Sequence, residues 1–267
     1  MGNRKKGGFM RIWIISMVCF LGLVSQAKAE LKTQVIEYKQ GDAVLEGYLS
    51  YDTSFVGKRP GVVVVHEWKG LNDYAKKRSD MLAKLGYVAF AVDIYGKGIR
   101  PQTFEQAGAE AGKYKGNRPL LRQRVLAGLD VLKAQTNVDT SKLAAIGYCF
   151  GGTTVLELAR LGADIKGVVS FHGGLSSPTP QDAKNIKARI LVLHGADDPF
   201  VSPSEVADFE NEMKQAGIKY QLIKYPGAMH GFTNPANTGE PKGALYNKEA
   251  DEKSWEKMKE FFKEIFV

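Results

Sequence analysis

The residue whose setting points most directly to chemistry is Cys149, in the run Gly147-Tyr-Cys-Phe-Gly-Gly152. A short apolar stretch ends at Gly147, and Thr153–Leu161 has the apolar spacing of a helix packed back onto it. A strand that reverses into a helix this tightly brings two backbones into contact, and Gly147 and Gly151 remove the side chains that would collide. Such a turn lifts its central residue clear of the sheet at a helix N-terminus. It is the geometry of a nucleophile elbow, here with sulfur in place of the usual serine oxygen. A lone cysteine also packs well as a small buried hydrophobe; the glycines on both sides favour the reactive reading.

A thiol nucleophile needs an imidazole to take its proton and a carboxylate to hold the imidazole's tautomer. The sequence contains four histidines. His66, His172 and His194 directly end apolar runs, where a ring can simply satisfy nearby backbone groups. His230 instead lies in the glycine-rich loop Pro226-Gly-Ala-Met-His-Gly-Phe232, which makes it the candidate base. The candidate acid is Asp198, 49 residues after Cys149 and 32 before His230, giving the order nucleophile, acid, histidine expected for this kind of sheet. Its neighbour Asp197 reads as a capping or turn residue before Pro199. Glu67 ends another apolar run, where a carboxylate is costly unless paired or protonated, so it is either a site residue or a supporting ion-pair partner. The backbone N–H of Phe150 opens the elbow helix and is placed to stabilise an oxyanion, with Trp68 as the second donor.

These residues need a scaffold that brings strand ends to one edge. Thr33–Tyr38 and Val44–Ser50 alternate around Gly41-Asp42 as an antiparallel hairpin. Further strands are expected at 61–66, 87–92, the elbow, 165–171, 188–194 and 219–225. Helices are expected at 72–85, 103–114, 120–134, 153–161 and 203–217, with a last one through Trp255, Met258, Phe261, Phe262 and Ile265. Strands alternating with helices specify an α/β domain, a mostly parallel twisted sheet with helices on both faces and no large cap domain. Ligands then sit outside the carboxyl ends of the strands, where His66, Glu67, Asp93, Cys149, His172, His194, Asp198 and His230 all fall. Tyr95, Phe171 and Phe232 are candidates for an apolar pocket there, or for core. The sequence leaves open whether residues 97–117 cover the site.

The first 29 residues read differently. Arg4, Lys5, Lys6 and Arg11 precede a 14-residue, mostly apolar run from Ile12 to Ser25, and Ala27-Lys28-Ala29 is a small-residue cleavage pattern. The run is shorter than the roughly 20 residues that cross a bilayer. A cleaved signal peptide is expected over 1–29, with an uncleaved anchor as the alternative. The chain from Glu30 would then be exported, periplasmic or secreted, and without stable membrane insertion. Residues 1–29 hold five Lys or Arg and no Asp or Glu, which lowers the formal net charge from +8 to +3. No basic stripe remains, so nucleic acid is not an expected partner. Cys19 lies in the leader, so Cys149 is left without a disulfide partner. Residues 30–267 fit a single domain, expected to be a monomer.

Five motifs together resemble the dienelactone hydrolase family of the α/β-hydrolase superfamily. They are Val65-His-Glu-Trp-Lys-Gly-Leu71, Val92-Asp-Ile-Tyr95, Gly147–Gly152, Gly195-Ala-Asp-Asp-Pro-Phe-Val201 and Gly227-Ala-Met-His-Gly-Phe232. The resemblance implies a Cys149–Asp198–His230 triad, Glu67 in contact with the resting thiol and helping to ionise it, and an oxyanion hole from Trp68 and Phe150. It implies hydrolysis of a small ester or lactone through an acyl-thioester, with no metal or organic cofactor. One departure stands out. Members acting on dienelactone hold the substrate carboxylate with arginines, one of them four residues after the histidine, and here that position is Asn234. Arg100, Arg118 and Arg122 are candidates for the other. The rival expectations are a binding module on the same fold with a vestigial triad, and a redox-sensitive thiol protein.

Overall fold

The computed structural model describes residues 1–3 and 30–267, so the expected leader lies outside the described residues except for its first three positions. The chain opens with the hairpin β1 (Leu31–Gln40) and β2 (Ala43–Asp52), paired from Leu31↔Asp52 to Gln40↔Ala43. Gly41 turns it with φ 56°, a backbone state that glycine enters without strain. Then follow β3 (Arg59–Val65), α1 (Asp73–Ala83), β4 (Val88–Val92), α2 (Phe104–Lys115), α3 (Arg118–Lys133), β5 (Val138–Tyr148) and α4 (Phe150–Arg160). The chain closes with β6 (Gly167–Phe171), a short 3-10 helix (Pro180–Asn185), β7 (Arg189–Gly195), α5 (Pro203–Gln215), β8 (Tyr220–Tyr225) and α6 (Lys248–Ile265).

One eight-stranded sheet results, in the order β1-β2-β4-β3-β5-β6-β7-β8. The β1–β2 and β2–β4 pairs are antiparallel and all the others parallel. Alternation along the central strands decides which helix packs where. Val63 and Val65 of β3 share a core with Val125 and Leu129 of α3, Val155 of α4 and Phe209 of α5. Val62 and Val64 face the other way, onto Leu82 of α1 and Met258, Phe261 and Phe262 of α6. A strand covered on both faces is therefore mostly apolar, as β3 is from Pro60 on, β4 is throughout and β6 is except for Ser170.

Helix starts carry side-chain caps: Asn72 for α1, Thr103 with a full capping box for α2, Asn117 for α3, Ser202 for α5 and Asn247 for α6. The exception is α4, whose capping residue is Cys149, with no side-chain cap bond. Among the described residues no helix is long and apolar enough to cross a membrane.

Candidate active site

The elbow forms because nothing larger than glycine fits around it. A Cβ on Gly147 would lie 2.0 Å from the Gly151 carbonyl oxygen, and one on Gly151 would lie 2.3 Å from that of Val65. Gly152 packs equally closely on Gly173. The start of α4 is thereby pressed against the carboxyl end of β3, two residues before Glu67. Cys149 takes φ 53° and ψ −113°, a strained state for a residue with a side chain, costing on the order of 1–3 kcal/mol. Its N–H donates to the Phe171 carbonyl at 3.0 Å and to His172 Nδ1 at 3.1 Å. The sulfur is partly exposed and no disulfide engages it.

Cys149 Sγ lies 3.0 Å from His230 Nε2, and His230 Nδ1 lies 2.8 Å from Asp198 Oδ2. Asp198 follows β7, its side chain wholly buried, with Oδ1 accepting the Phe200 N–H at 2.8 Å. Asp197, by contrast, is exposed. His230 follows β8 on a loop held by an excursion no sequence pattern announced: its N–H donates to Gly243 O and its carbonyl accepts from Leu245 N–H. Burial disfavours the His230 imidazolium. The Cys149 sulfur and the Asp198 carboxylate outweigh that penalty and hold the ring at about 10.

Glu67 is buried, 7 % exposed, and its Oε2 accepts from Asn234 Nδ2 at 2.5 Å. Burial pushes its carboxyl up from the usual range, against a smaller opposing pull from the Asn234 bond. The thiol's hydrogen-bond partner is His230 and not Glu67, in contrast to the resting contact implied by family resemblance. Asn234, spaced 167 residues from Glu67, replaces that partner, and only the fold could show the pairing. Among the described residues the N–H groups of Trp68 and Phe150 have no protein acceptor, and the Phe150 ring stacks on His66, with centroids 5.8 Å apart.

Other expected members serve the scaffold. His66 is buried: Ile94 N–H donates to its Nε2, leaving Nδ1–H to donate to Glu67 O at 2.6 Å, and burial lowers its pKa to about 4. Asp93 accepts from the N–H groups of Glu46, Tyr95 and Gly96. Arg100 lies 3.6 Å from Asp93, and Arg122 pairs with Glu157 and Asp182. Arg118 donates to Ser176 O at 3.4 Å.

The apolar-pocket expectation needs correcting. Tyr95, Phe171 and Phe232 are at most 2 % exposed and belong to the core. Tyr95 packs on Tyr114 and Phe150, Phe171 stacks on Tyr148, and Phe232 fills the space between Tyr225 and His172. Phe171 ends β6, while Tyr95 and Phe232 lie on the loops after β4 and β8; all three turn into the core clusters on the two faces of the sheet, which is why they are lost to the site. The exposed rings beside it are Phe200, edge-on to His230 at 5.2 Å, and Phe104, stacked on Trp68 at 5.7 Å with Lys69 Nζ over its ring at 5.0 Å. Phe104 opens α2, so within residues 97–117 the helix Phe104–Lys115 starts against Trp68. Among the described residues no group of three His, Cys, Asp or Glu is placed to hold a metal ion.

Residues 45–266 match the Dienelactone hydrolase family. The chain belongs to that family. Like other dienelactone hydrolases it has the α/β-hydrolase fold, and it is a hydrolase of carboxylic esters or lactones. It is 28 % identical over 249 residues to a putative carboxymethylenebutenolidase of a Synechocystis species, covering 87 % of this chain and 97 % of the relative. Among solved structures it superposes on m3DLH with a TM-score of 0.86 at 41 % identity, covering 89 % of this chain and 99 % of that one. A dienelactone hydrolase-like promiscuous phosphotriesterase, P91, from metagenomic libraries superposes equally well at 39 % identity, with the same coverages.

Proposed function

We propose that the chain is an exported, monomeric cysteine hydrolase of small esters or lactones that works through a Cys149 acyl-thioester. The observation carrying this reading is the unbroken chain Sγ–Nε2 at 3.0 Å and Nδ1–Oδ2 at 2.8 Å. His230 Nε2 takes the proton of the Cys149 thiol, a transfer favoured by the raised pKa of the ring, and leaves a thiolate for attack. Thiolate attack on the ester carbonyl forms the C–S bond and moves the carbonyl π pair onto oxygen, which the N–H groups of Trp68 and Phe150 receive. Collapse expels the alkoxide, and the proton on His230 Nε2 goes to it. The now neutral His230 takes a proton from water as the water oxygen attacks the thioester, and the thiolate leaves with its bonding pair. Asp198 holds the ring with Nδ1 protonated throughout.

The position four residues after His230 offers the neutral amide of Asn234, bonded to Glu67, and not an arginine. We therefore read the acyl partner as one without a carboxylate at that position. Export rests on the expected leader and on the position of β1, which begins at Leu31, just past the expected cleavage point. Periplasmic fractionation and the intact mass of the purified protein test it, and sedimentation tests the monomer.

Cys149→Ala is expected to reduce turnover of an activated aryl ester by at least about a thousandfold while leaving the melting curve intact. Mass spectrometry of acid-quenched wild-type protein should show one acyl group on the Cys149 peptide. Undiminished turnover in Cys149→Ala would remove the mechanism. A second reading has the likeness to the promiscuous phosphotriesterase behind it: the same thiolate could attack phosphorus in a neutral triester. A dialkyl aryl phosphate is then hydrolysed by wild type and not by Cys149→Ala.

A further inference from the structure

Beneath the site runs a buried polar chain that the reaction above does not use. Among the described residues, two without glycine's freedom have φ in the left-handed region: Cys149 at 53° and His172 at 40°. His172 directly follows β6 and is completely buried. Its Nδ1 faces the Cys149 N–H at 3.1 Å, so that nitrogen is an acceptor and the ring proton sits on Nε2. Nε2–H in turn meets Thr233 Oγ1 at 2.7 Å. The Thr233 hydroxyl lies 2.5 Å from Tyr74 OH, and Arg78 donates Nε to Tyr74 OH and Nη2 to the Thr233 carbonyl. Thr233 is three residues beyond His230 on the same loop.

We propose that His172 is a positioning residue: its Nδ1 holds the strained amide of Cys149 while its Nε2–H ties that turn to the loop carrying His230. Both ends of the 3.0 Å Sγ–Nε2 contact are thus registered against one neutral imidazole. The inference rests on the roles assigned to Cys149 and His230 above. Protonated His172 would point a second N–H at the Cys149 N–H and break the tie. Burial, reinforced by the charges of His230, Arg78 and His194 around the ring, pushes its pKa well below the ordinary imidazole value, so the neutral form persists. A residue that merely filled space here would affect melting but not the chemistry of the sulfur.

The test uses full-length mature protein and four variants: His172→Asn, His172→Gln, Thr233→Val and Thr233→Ser. Asparagine places an amide oxygen where Nδ1 was and tolerates a left-handed backbone; glutamine does not reach back to that point. Carbamidomethylation of Cys149 by iodoacetamide is followed from pH 6 to 10, beside kcat and KM for an activated ester and circular dichroism of each variant. His172→Gln and Thr233→Val are expected to lose about tenfold or more in kcat and in alkylation rate at pH 7, with KM little changed. The alkylation gap should close at alkaline pH, where a thiol ionises without help. Thr233→Ser should restore most of both rates, whereas His172→Asn, which keeps the acceptor for the Cys149 N–H but loses the tie to Thr233, should fall together with Thr233→Val. Folded His172→Gln or Thr233→Val with wild-type alkylation and kcat overturns the proposal, as does a Thr233→Val loss that Thr233→Ser does not rescue. Should His172→Gln not fold, Thr233→Val decides alone, since it leaves the backbone and the ring in place. Alkylation does not require turnover, so a protein that shows this pattern but hydrolyses no ester would sink the hydrolase mechanism and leave the positioning role standing.

Discussion

At the scale of single residues, the site keeps two acidic groups in opposite conditions. Asp198 is buried against an imidazolium and has a charge to answer its own. Glu67 is buried with the amide of Asn234 as its hydrogen-bond partner, and burial raises its carboxyl pKa against smaller opposing pulls from that bond and from His230, Arg78 and Lys69. A group whose folded pKa lies above its unfolded value favours folding most when protonated, below the ordinary glutamate range. That contribution disappears as pH rises through the folded value. Glu67→Gln mimics the protonated form and still offers an oxygen to Asn234. It is therefore expected to raise the melting midpoint at pH 8 by more than at pH 5, measured by differential scanning calorimetry. If Glu67 also assists the thiol, the same variant loses turnover while gaining stability, the usual cost of a site built from uncomfortable groups.

At the scale of elements, the join between β5 and α4 depends on the absence of side chains. Gly151→Ala would drive a methyl group to 2.3 Å from a β3 carbonyl that cannot move without breaking the parallel ladder. Loss of folding, or a loss of at least about 3 kcal/mol, is expected in urea titration. Gly108 provides the control. It sits exposed within α2 with nothing within 4 Å of a built Cβ, so Gly108→Ala should stabilise by about 0.5–1 kcal/mol. The helix after Cys149 starts at Phe150, where the elbow reading places it and earlier than apolar spacing alone would. The apolar spacing points to a start at Thr153, because Gly151 and Gly152 are poor helix formers, yet α4 begins at Phe150. Close approach to β3 and to Gly173 overrides propensity there.

At the scale of the whole molecule, the strand ends bury imidazoles that are neutral when folded. His66 at about 4 and His172 well below the ordinary value are both depressed by burial. A depressed pKa contributes stability that is present above the unfolded value near 6.5 and is lost as pH falls through the folded one. For His66 alone this amounts to on the order of 3 kcal/mol between about pH 6.5 and 4. The urea midpoint is expected to drop steadily across that window, and His66→Gln should flatten the drop. A midpoint independent of pH in that range would contradict the burial of neutral rings.

Much of this architecture was legible before any coordinates. Cys149, Asp198 and His230 each sit in a short motif just after a strand, and the rule that parallel strands present their carboxyl ends together brings such motifs into one place. Hydrophobic period and flanking glycines are local signals, so they survive in a bare sequence. What joins distant segments does not. The insertion of β4 between β2 and β3, the Asn234–Glu67 pair, the rings of Phe104 and Phe200 at the rim, and the His172–Thr233 tie all depend on which faces meet. Tyr95, Phe171 and Phe232 show the reverse: their position at or just after strand ends marked them for the site, and packing took them into the core. The sequence by itself determined the reactive groups and the kind of sheet that gathers them, because both follow from near-neighbour chemistry. Only the tertiary structure decided what each group touches, because contacts across many tens of residues depend on layer packing that no local pattern encodes.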